Sequence, residues 1–166
     1  SILDQVNPIS EIDNLRRVSV MGPGGITRER ASFSMRDIHS SQYSRICPVR
    51  SPEGPNIGLV TYLALYTRVN EFGFLESPYI KVEKVTKGGK TSYQINPEVV
   101  YLAADDEEEA YITHSEIERD GDTILQQWVP VRYQGKFIEA DIDKVQYIDV
   151  IPRQALGTSA ALIPFV

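Results

Sequence analysis

The chain has 166 residues, of which 42% are hydrophobic and 24% charged, a balance typical of a globular protein. It has no run near the ~20 apolar residues of a membrane helix and no N-terminal basic segment followed by an apolar one, so neither a membrane span nor a signal peptide is predicted. Its single cysteine, Cys47, excludes an internal disulfide and a multi-cysteine zinc site, and it fits a cytoplasmic protein.

The net charge of −6 is unevenly distributed along the chain. Residues 16–50 include seven arginines, no lysine and two acidic residues, so this segment carries +5 and the rest of the chain −11. This asymmetry predicts a basic surface for an anionic partner on one part of the chain. The chain starts at Ser1 without Met and ends in the apolar run 162–166, and we interpret both ends as those of a segment of a longer polypeptide.

Short elements separated by loops are predicted for the first part of the chain. Asn7-Pro8 suits a helix start and favours a helix near residues 8–15. Alternating valines within 16–20 favour a short strand, and the Gly-Pro run 22–25 then breaks regular structure.

Two prolines and two glycines predict a loop over residues 51–58. The apolar residues of 57–69 recur at helical spacing, which predicts a buried helix there. A rigid turn in the loop would hold Glu53 and Asn56 in fixed directions. Alternatively, the turn serves only to cap the predicted helix, and the residues leave both interpretations open.

The composition changes after Gly73, where short β-prone runs begin to alternate with turn signals. Lys87-Gly88-Gly89-Lys90 is typical of a hairpin turn, and the acidic run 105–109 of a solvated loop or a helix start. The predicted strands lie at 79–85, 91–95, 99–102, 110–113, 123–131, 136–138 and 145–150. The predicted fold class is therefore α+β, with a helix-and-loop portion over 1–72, a mostly antiparallel β module over 73–150, and a returning strand over 151–166.

The arginine-rich segment is the main candidate for a binding site. Guanidinium groups bind phosphates in bidentate fashion and stack on bases, and flanking glycines let the backbone approach a ligand closely. Residues 22–30 therefore predict a loop that contacts a nucleic acid backbone or a polyphosphate. The alternative, that the arginines pair with carboxylates inside a larger assembly, remains equally open on this chemistry.

Enzyme signatures are scarce in the sequence. It has no Walker A motif and no Gly-x-Ser-x-Gly. His39 and His114, the two histidines, have no metal partner at a usable spacing, and the carboxylates of 105–109 lack the apolar frame of a two-metal site. No catalytic residue and no metal site are predicted, so an independent nucleotide-binding enzyme is set aside.

Several motifs follow one another as they do in one known family. They are Asp4-Gln5-x-Asn7-Pro8, Arg16-Arg17-Val18-Ser19, the run 22–31, Arg36-Asp37-Ile38-His39, Tyr43-x-Arg45-Ile46-Cys47-Pro48, the run 51–59 and the run 70–79. Through them, about the first 80 residues resemble the fork region of the bacterial DNA-directed RNA polymerase β-subunit family. Residues 157–165 are similar to the segment where the family's chain re-enters the core, and 80–145, which match weakly, correspond in position to its β-rich external domain.

The resemblance implies a part in template-directed nucleotidyl transfer. The family's fork loop, here residues 22–37, lies where DNA strands separate beside the active site, and in the family the β′ subunit holds the catalytic Mg²⁺. The resemblance therefore implies that this chain binds no cofactor and is inactive alone. The residues it assigns to nucleic acid binding are Arg17, Arg28, Arg30, Arg45, Pro52, Glu53 and Asn56.

In the family, the same region of the β subunit that faces nucleic acid also forms the rifamycin pocket. The matching positions are Asp4, Asn14, Arg17, Ser19, Met21, Pro52, Asn56 and Val60. Three residues depart from the family pattern, because Asn14, Ser1 and Ile2 replace the usual His, Gln and Phe. Loss of an aromatic ring and of a polar partner each weakens drug binding by ~1 kcal/mol or more.

The implied partners are those of a transcribing polymerase in the cytoplasm at the nucleoid. They are the β′, α and other polymerase subunits, a sigma factor, the DNA template, the RNA–DNA hybrid and nucleoside triphosphates, with no membrane. A second hypothesis is that the chain is a protein-interaction module. The acidic half, 73–150, would then bind a regulator or sigma factor, and the fork portion would have only a structural role.

Overall fold

The structure is a computed structural model that describes residues 2–3 and 5–164. The chain forms two compact units. Unit 1 consists of the described residues up to Thr67 together with those from Arg153 onward, and unit 2 of Arg68–Pro152. The helix and strand content, 22% and 37%, confirms the α+β fold class.

Unit 1 begins with helix α1 (Pro8–Leu15), as predicted, and the Asn7 side chain caps it by accepting a hydrogen bond from the Ser10 amide at 2.9 Å. Strand β1 (Arg17–Ser19) pairs antiparallel with β2 (Val60–Tyr62). Short 3₁₀ helices lie between these two strands in the chain, at Arg28–Arg30, Ser34–Arg36, Ser40–Gln42 and Gly54–Asn56.

The helix predicted over 57–69 is wrong. Val60–Tyr62 is a strand, and the next residues form single bridges, Leu63 with Ile46 and Ala64 with Gly157. A short apolar run fits helix and strand alike, and here β-branched and aromatic residues find a partner strand about 40 positions away in sequence.

The strand predicted over 151–166 is also wrong. The segment forms a 3₁₀ helix at Pro152–Ala155 and a helical turn, α3 (Thr158–Ala161), with Gly157 bridged to Ala64 between them. Proline suits a helix start and alanine is the best helix former, so local preference prevails over the apolar character of the run.

The interior of unit 1 combines apolar and polar side chains. Leu59, Val60 and Cys47 are buried. Gln154 is fully buried and donates to the Ser44 hydroxyl at 2.7 Å. This bond ties the C-terminal part of unit 1 to its N-terminal part, and a satisfied buried amide of this kind specifies one arrangement.

Unit 2 is built on a nine-stranded sheet within the described residues. Its strands are β3 (Arg68–Val69), β4 (Leu75–Lys87), β5 (Lys90–Ala103), β6 (Ile112–Thr113), β7 (Arg119–Asp120), β8 (Thr123–Ile124), β9 (Trp128–Tyr133), β10 (Lys136–Asp141) and β11 (Tyr147–Asp149). Their order is β10-β9-β6-β11-β4-β5-β8-β7, with β3 on β4, and every pairing is antiparallel except that of β6 with β11. This confirms a mostly antiparallel module.

The predicted hairpin is the longest feature of unit 2, since β4 and β5 pair until Lys87 meets Lys90 around Gly88-Gly89. Two apolar clusters form the core, one around Val129, Val131 and Ile148 and one around Tyr79 and Ile112. The acidic run forms a short helix, α2 (Ala104–Glu108), which confirms the helix-start alternative.

Candidate nucleic-acid interface

The glycine-rich loop of unit 1 is closed by its own backbone. The Gly25 amide donates to the Gly22 carbonyl at 2.9 Å, and the Ile26 amide donates to the Val20 carbonyl at 2.9 Å. Gly22 has φ +124°, a conformation that other residues rarely adopt. These hydrogen bonds hold the backbone of residues 20–26 in place, immediately before the exposed 3₁₀ turn at 28–30.

Arg28 connects this turn to the loop 51–58. Its Nε and Nη2 atoms both donate to Asn56 Oδ1, at 3.0 and 2.8 Å. Arg28 is exposed and Asn56 half-buried, so the pair lies at the surface of unit 1. Two residues predicted separately from the sequence are thus in direct contact.

Arg36 holds the same turn from a second side. Its Nη1 donates to the Pro55 carbonyl at 2.6 Å and to the Ile57 carbonyl at 2.9 Å. A Cβ on Gly58 would lie 2.5 Å from the carbonyl oxygen of Arg36, so only glycine allows this approach. Arg36 and Gly58 were absent from the predicted site residues, although the clustering of arginines and the Gly-rich loop were signals for both.

Arg17 and Arg30 are exposed, and neither side chain forms a hydrogen bond or ion pair within the part of the chain that the structure describes. Arg17 lies on β1 and Arg30 at the end of the 3₁₀ turn that begins with Arg28. Their guanidinium groups present charge to solvent, as binding to a phosphate backbone requires.

Three other arginines serve the fold. Arg16 donates to the Ala64 carbonyl and, at 3.3 Å, to the Leu65 carbonyl. Arg50 forms an ion pair with Asp13 at 3.0 Å and lies over the Tyr62 ring at 4.5 Å. Arg45 is only 3% exposed and donates to the Ser41 and Tyr43 carbonyls. Pairing with a carboxylate, the alternative left open by the sequence, is thus seen for Arg50, whereas Arg16 and Arg45 donate to backbone carbonyls.

Burial separates some predicted site residues from the others. Arg45 and Val60, 3% and 0% exposed, have no open face for a phosphate or a drug, because the packing of unit 1 encloses them. We therefore correct both assignments to structural roles. Asp4 lies outside the described residues.

The remaining predicted positions lie at or near the surface of unit 1. Ser19 and Glu53 are exposed, and the Ser19 hydroxyl accepts a hydrogen bond from the Met21 amide at 3.1 Å. The half-buried positions are Asn14, Met21, Pro52 and Asn56.

Among the described residues, no group of three or more His, Cys, Asp or Glu side chains is placed to hold a metal ion. Within the same ranges, 2–3 and 5–164, no helix is both long and apolar enough to cross a membrane.

Comparison with known proteins agrees with this division of the chain. Residues 1–69 match the family described as RNA polymerase Rpb2, domain 3, and residues 79–150 match the RNA polymerase beta subunit external 1 domain. The protein named "DNA-directed RNA polymerase subunit beta" from Methylacidiphilum infernorum is 47% identical over 99% of this chain. The chain belongs to the bacterial RNA polymerase β-subunit family.

Two other members of the β-subunit family have similar sequence identity to this chain. The proteins of the same name from Fusobacterium nucleatum and Syntrophomonas wolfei are 44% and 46% identical, each over 99% of this chain. The chain spans 12%, 13% and 14% of the length of these three relatives, in the order given. The arginine-rich loop lies in the part that matches Rpb2 domain 3, and the β sheet in the part that matches the external 1 domain.

Proposed function

We propose that this chain lines the active-centre cleft of a DNA-directed RNA polymerase, where its exposed arginines bind the nucleic acid backbone at the point of strand separation. Relatives that carry the polymerase name support the assembly. The observation that carries the assignment to the cleft is the exposed turn at 28–30, which is bonded to Asn56 beside it.

The binding is electrostatic and independent of base sequence. Arginine contacts to phosphates fix the position and register of a duplex, whereas base contacts specify sequence. We assign the contacts to Arg17, Arg28, Arg30, Pro52, Glu53 and Asn56, and omit Arg45 because it is buried.

Nucleotidyl transfer itself belongs, in this proposal, to the partner β′ subunit, which supplies the Mg²⁺ site. The wider assembly contains the α subunits, a sigma factor, the DNA template, the RNA–DNA hybrid and nucleoside triphosphates, and it acts at the nucleoid.

The rifamycin pocket is proposed for the same surface without Val60, whose side chain is fully buried. The pocket would then be lined by Asn14, Arg17, Ser19, Met21, Pro52 and Asn56, with Asp4 outside the described residues. Because Asn14 and Ile2 replace the family's usual His and Phe, we expect weaker drug binding than in typical members.

The test is to replace Arg28 and Arg30 with alanine in the complete polymerase. Each phosphate contact contributes about one unit to the slope of log affinity against log salt concentration. We expect the double variant to have a slope shallower by about 2 and shorter-lived complexes at low salt. Dissociation from a synthetic DNA–RNA scaffold across a potassium chloride series gives both quantities.

Arg119→Ala is the matched control, because Arg119 is an exposed arginine of unit 2. It removes a similar charge outside the proposed interface and should leave the slope unchanged. An unchanged slope for the Arg28 and Arg30 variant, or an equal decrease for the control, would overturn the proposal.

A further inference from the structure

The two edges of the sheet in unit 2 differ in how well they are protected. Among the described residues, β10 lies at one end of the strand order and β7 at the other. Strand β7 has only two residues, Arg119–Asp120, and both are charged and exposed, which resists pairing with another chain. Strand β10 has six residues in an unbroken register with β9, it contains no proline, and its single lysine, Lys136, is its first residue. The β10 edge therefore remains open to a further strand.

The register of β10 on β9 shows which amides face this open edge. The Ile142 amide, directly after β10, donates to the carbonyl of Gln127, directly before β9, at 2.8 Å. Hydrogen-bonded positions alternate along an antiparallel strand, so the even-numbered residues of β10 donate to β9. The amides of Phe137 and Glu139 therefore point away from β9 and towards the open edge.

Exposed apolar side chains accompany these amides on both faces of the sheet. Phe137 is 83% exposed, and Trp128 and Pro130 of β9, which share its face, are exposed as well. Ile138 lies on the opposite face, where its cross-strand partner Val131 is in the core, and it is still 41% exposed. An added strand would thus pair with the backbone of β10 and cover apolar groups on each side of it.

We infer that β10 is a docking edge for an extended segment of a partner protein, which joins the sheet of unit 2 as one more strand. The backbone groups of the edge are spaced for another chain in β conformation. The Glu139 carboxylate has no hydrogen bond or ion pair within the part of the chain that the structure describes, so it favours a lysine or arginine opposite it. The partner segment therefore alternates apolar and basic residues.

The charge of unit 2 distinguishes such a partner from other occupants of the edge. Residues 68–152 include 17 Asp and Glu and nine Lys and Arg, a net charge of −8. This charge repels a nucleic acid, which also has no amide backbone to pair with β10. A second copy of unit 2 carries the same charge, and an antiparallel copy centred on Glu139 would place two carboxylates opposite each other. A basic and apolar segment of another protein meets none of these obstacles.

The test uses the complete polymerase and two six-residue peptides with blocked ends, which match the length of β10. One peptide alternates valine and lysine, and the other alternates valine and glutamate. Hydrogen exchange, resolved to single amides by mass spectrometry, should be fast at Phe137 and Glu139 in the free enzyme. A saturating amount of the valine–lysine peptide should slow exchange at both positions and leave Ile138, which already donates to β9, almost unchanged.

Two variants of Glu139 separate backbone pairing from charge. Glu139→Pro removes an amide that faces the open edge, and proline is tolerated where the N–H points away from the sheet. We expect it to weaken binding of the labelled valine–lysine peptide, measured by fluorescence anisotropy, about tenfold. Glu139→Thr keeps the amide and removes only the carboxylate, so it should reduce the preference for lysine over glutamate in the peptide by about threefold. Retained exchange protection at Ile138 shows that β10 still pairs with β9 in each variant.

Several results would overturn the inference. Slow exchange at Phe137 and Glu139 in the free polymerase at every concentration would mean that another part of the enzyme already covers the edge. Protection that increases with polymerase concentration would instead identify a second copy as the occupant. Equal affinity of the valine–lysine peptide for the unaltered enzyme and for Glu139→Pro would show that binding does not use the β10 backbone. Equal affinity of the two peptides for the unaltered enzyme would rule out a basic partner.

Discussion

At Gly58 the backbones of two loops of unit 1 approach each other closely. It has φ +75°, and a Cβ there would lie 2.5 Å from the Arg36 carbonyl oxygen and 2.7 Å from the Arg36 Cα. Both of these atoms belong to the backbone and cannot move aside as a flexible side chain would. Gly54, in the same loop, has φ +84° but open space around its Cα.

Alanine variants of these two glycines separate two free-energy costs, that of a left-handed backbone with a Cβ and that of steric overlap with a neighbouring backbone. We expect Gly54→Ala to destabilise unit 1 by about 1–2 kcal/mol, the cost of a left-handed backbone with a Cβ. Gly58→Ala should cost about 1–3 kcal/mol more because of the added overlap. Urea unfolding followed through amide resonances of unit 1 measures both, and equal losses would show that the close approach is unimportant.

Arg132 and Asp149 form the ion pair with the least exposed side chains among those of the described residues, at 16% and 2%. The guanidinium donates to both carboxylate oxygens, at 3.2 and 2.9 Å. The pair joins β9 to β11 across β6, which lies between them. Removing Arg132 deletes both of these hydrogen bonds to a carboxylate that is only 2% exposed.

We therefore expect Arg132→Leu to destabilise unit 2 by about 3–5 kcal/mol. The double variant Arg132→Leu with Asp149→Leu should recover most of that loss, since two apolar groups can replace a buried pair. Thermal unfolding followed by the fluorescence of Trp128, the single tryptophan, reports on the strand that carries Arg132. A double variant no more stable than the single one would contradict this account.

At the scale of elements, some of those that local chemistry determines were predicted, although the helical turns within 152–161 were missed. Helix α1 follows from Asn7-Pro8, and the β4–β5 hairpin from its Gly-Gly turn. Segment 57–69 was mispredicted because its structure depends on β1, Ile46 and Gly157, which no local pattern can show.

The candidate site, like the elements, was predicted only where local sequence features determine it. Arginine content and glycine spacing point to Arg28 and Arg30, and the family resemblance adds Arg17; all three are exposed. These features do not show that Arg45 is buried, nor that Arg36 turns back to hold backbone carbonyls. Both facts follow from tertiary packing, which places groups distant in sequence side by side.

The long hairpin of unit 2 is joined to the turn at 142–144 by three polar side chains. Asp143 accepts hydrogen bonds from the Tyr93 hydroxyl at 2.8 Å and from the Lys84 ammonium at 3.1 Å. The hydrogen bond from Tyr93, and then that from Lys84, lowers the pKa of Asp143 below its ordinary value. The hydrogen bond to Asp143 is the main cause that raises the pKa of Tyr93 and of Lys84.

The signs of these shifts define a pH window. The contribution of Asp143 to the stability of unit 2 is present above the ordinary carboxyl pKa of about 4, and it is lost as the pH falls through the lowered pKa of Asp143. Those of Tyr93 and Lys84 are complete below their ordinary pKa values of about 10 and are lost as the pH rises through the raised ones. The link between hairpin and turn should therefore be intact between about pH 5 and pH 9.

Asp143→Asn tests this link directly. We expect the pKa of Tyr93 to fall back towards about 10, because the carboxylate that favours the protonated phenol is gone. Titration of the Tyr93 ring resonances by NMR measures the change. Glu139→Gln, which removes another exposed carboxylate of unit 2, should leave the Tyr93 titration unchanged, and an unchanged titration in Asp143→Asn would contradict the assignment.

At the scale of the whole molecule, unit 1 is made of two stretches of chain and unit 2 of one. The second stretch of unit 1 supplies the buried Gln154 and the Leu156 carbonyl, which accepts from the Leu65 amide at 2.7 Å. The two apolar clusters of unit 2 are built, as far as the structure describes the chain, from residues of Arg68–Pro152.

A chain that ends at Pro152 should therefore lose the structure of unit 1 and keep that of unit 2. Without residues 153–166, the buried Ser44 hydroxyl loses the hydrogen bond from Gln154, Ala64 loses its bridge to Gly157, and the Leu65 amide loses the Leu156 carbonyl. Hydrogen exchange measured residue by residue should show lost protection at Leu59 and retained protection at Ile112. Retained protection at both positions would mean that residues 153–166 are dispensable for folding.

The arrangement of unit 2 as one uninterrupted stretch has a consequence for evolution. An in-frame insertion or deletion in the DNA that encodes residues 68–152 leaves every codon of unit 1 unchanged. Exposed hairpin ends such as the one at Gly88-Gly89 are places where loops tolerate added length. Lineages of this family can therefore diversify the external domain while the residues proposed to face nucleic acid remain under separate selection.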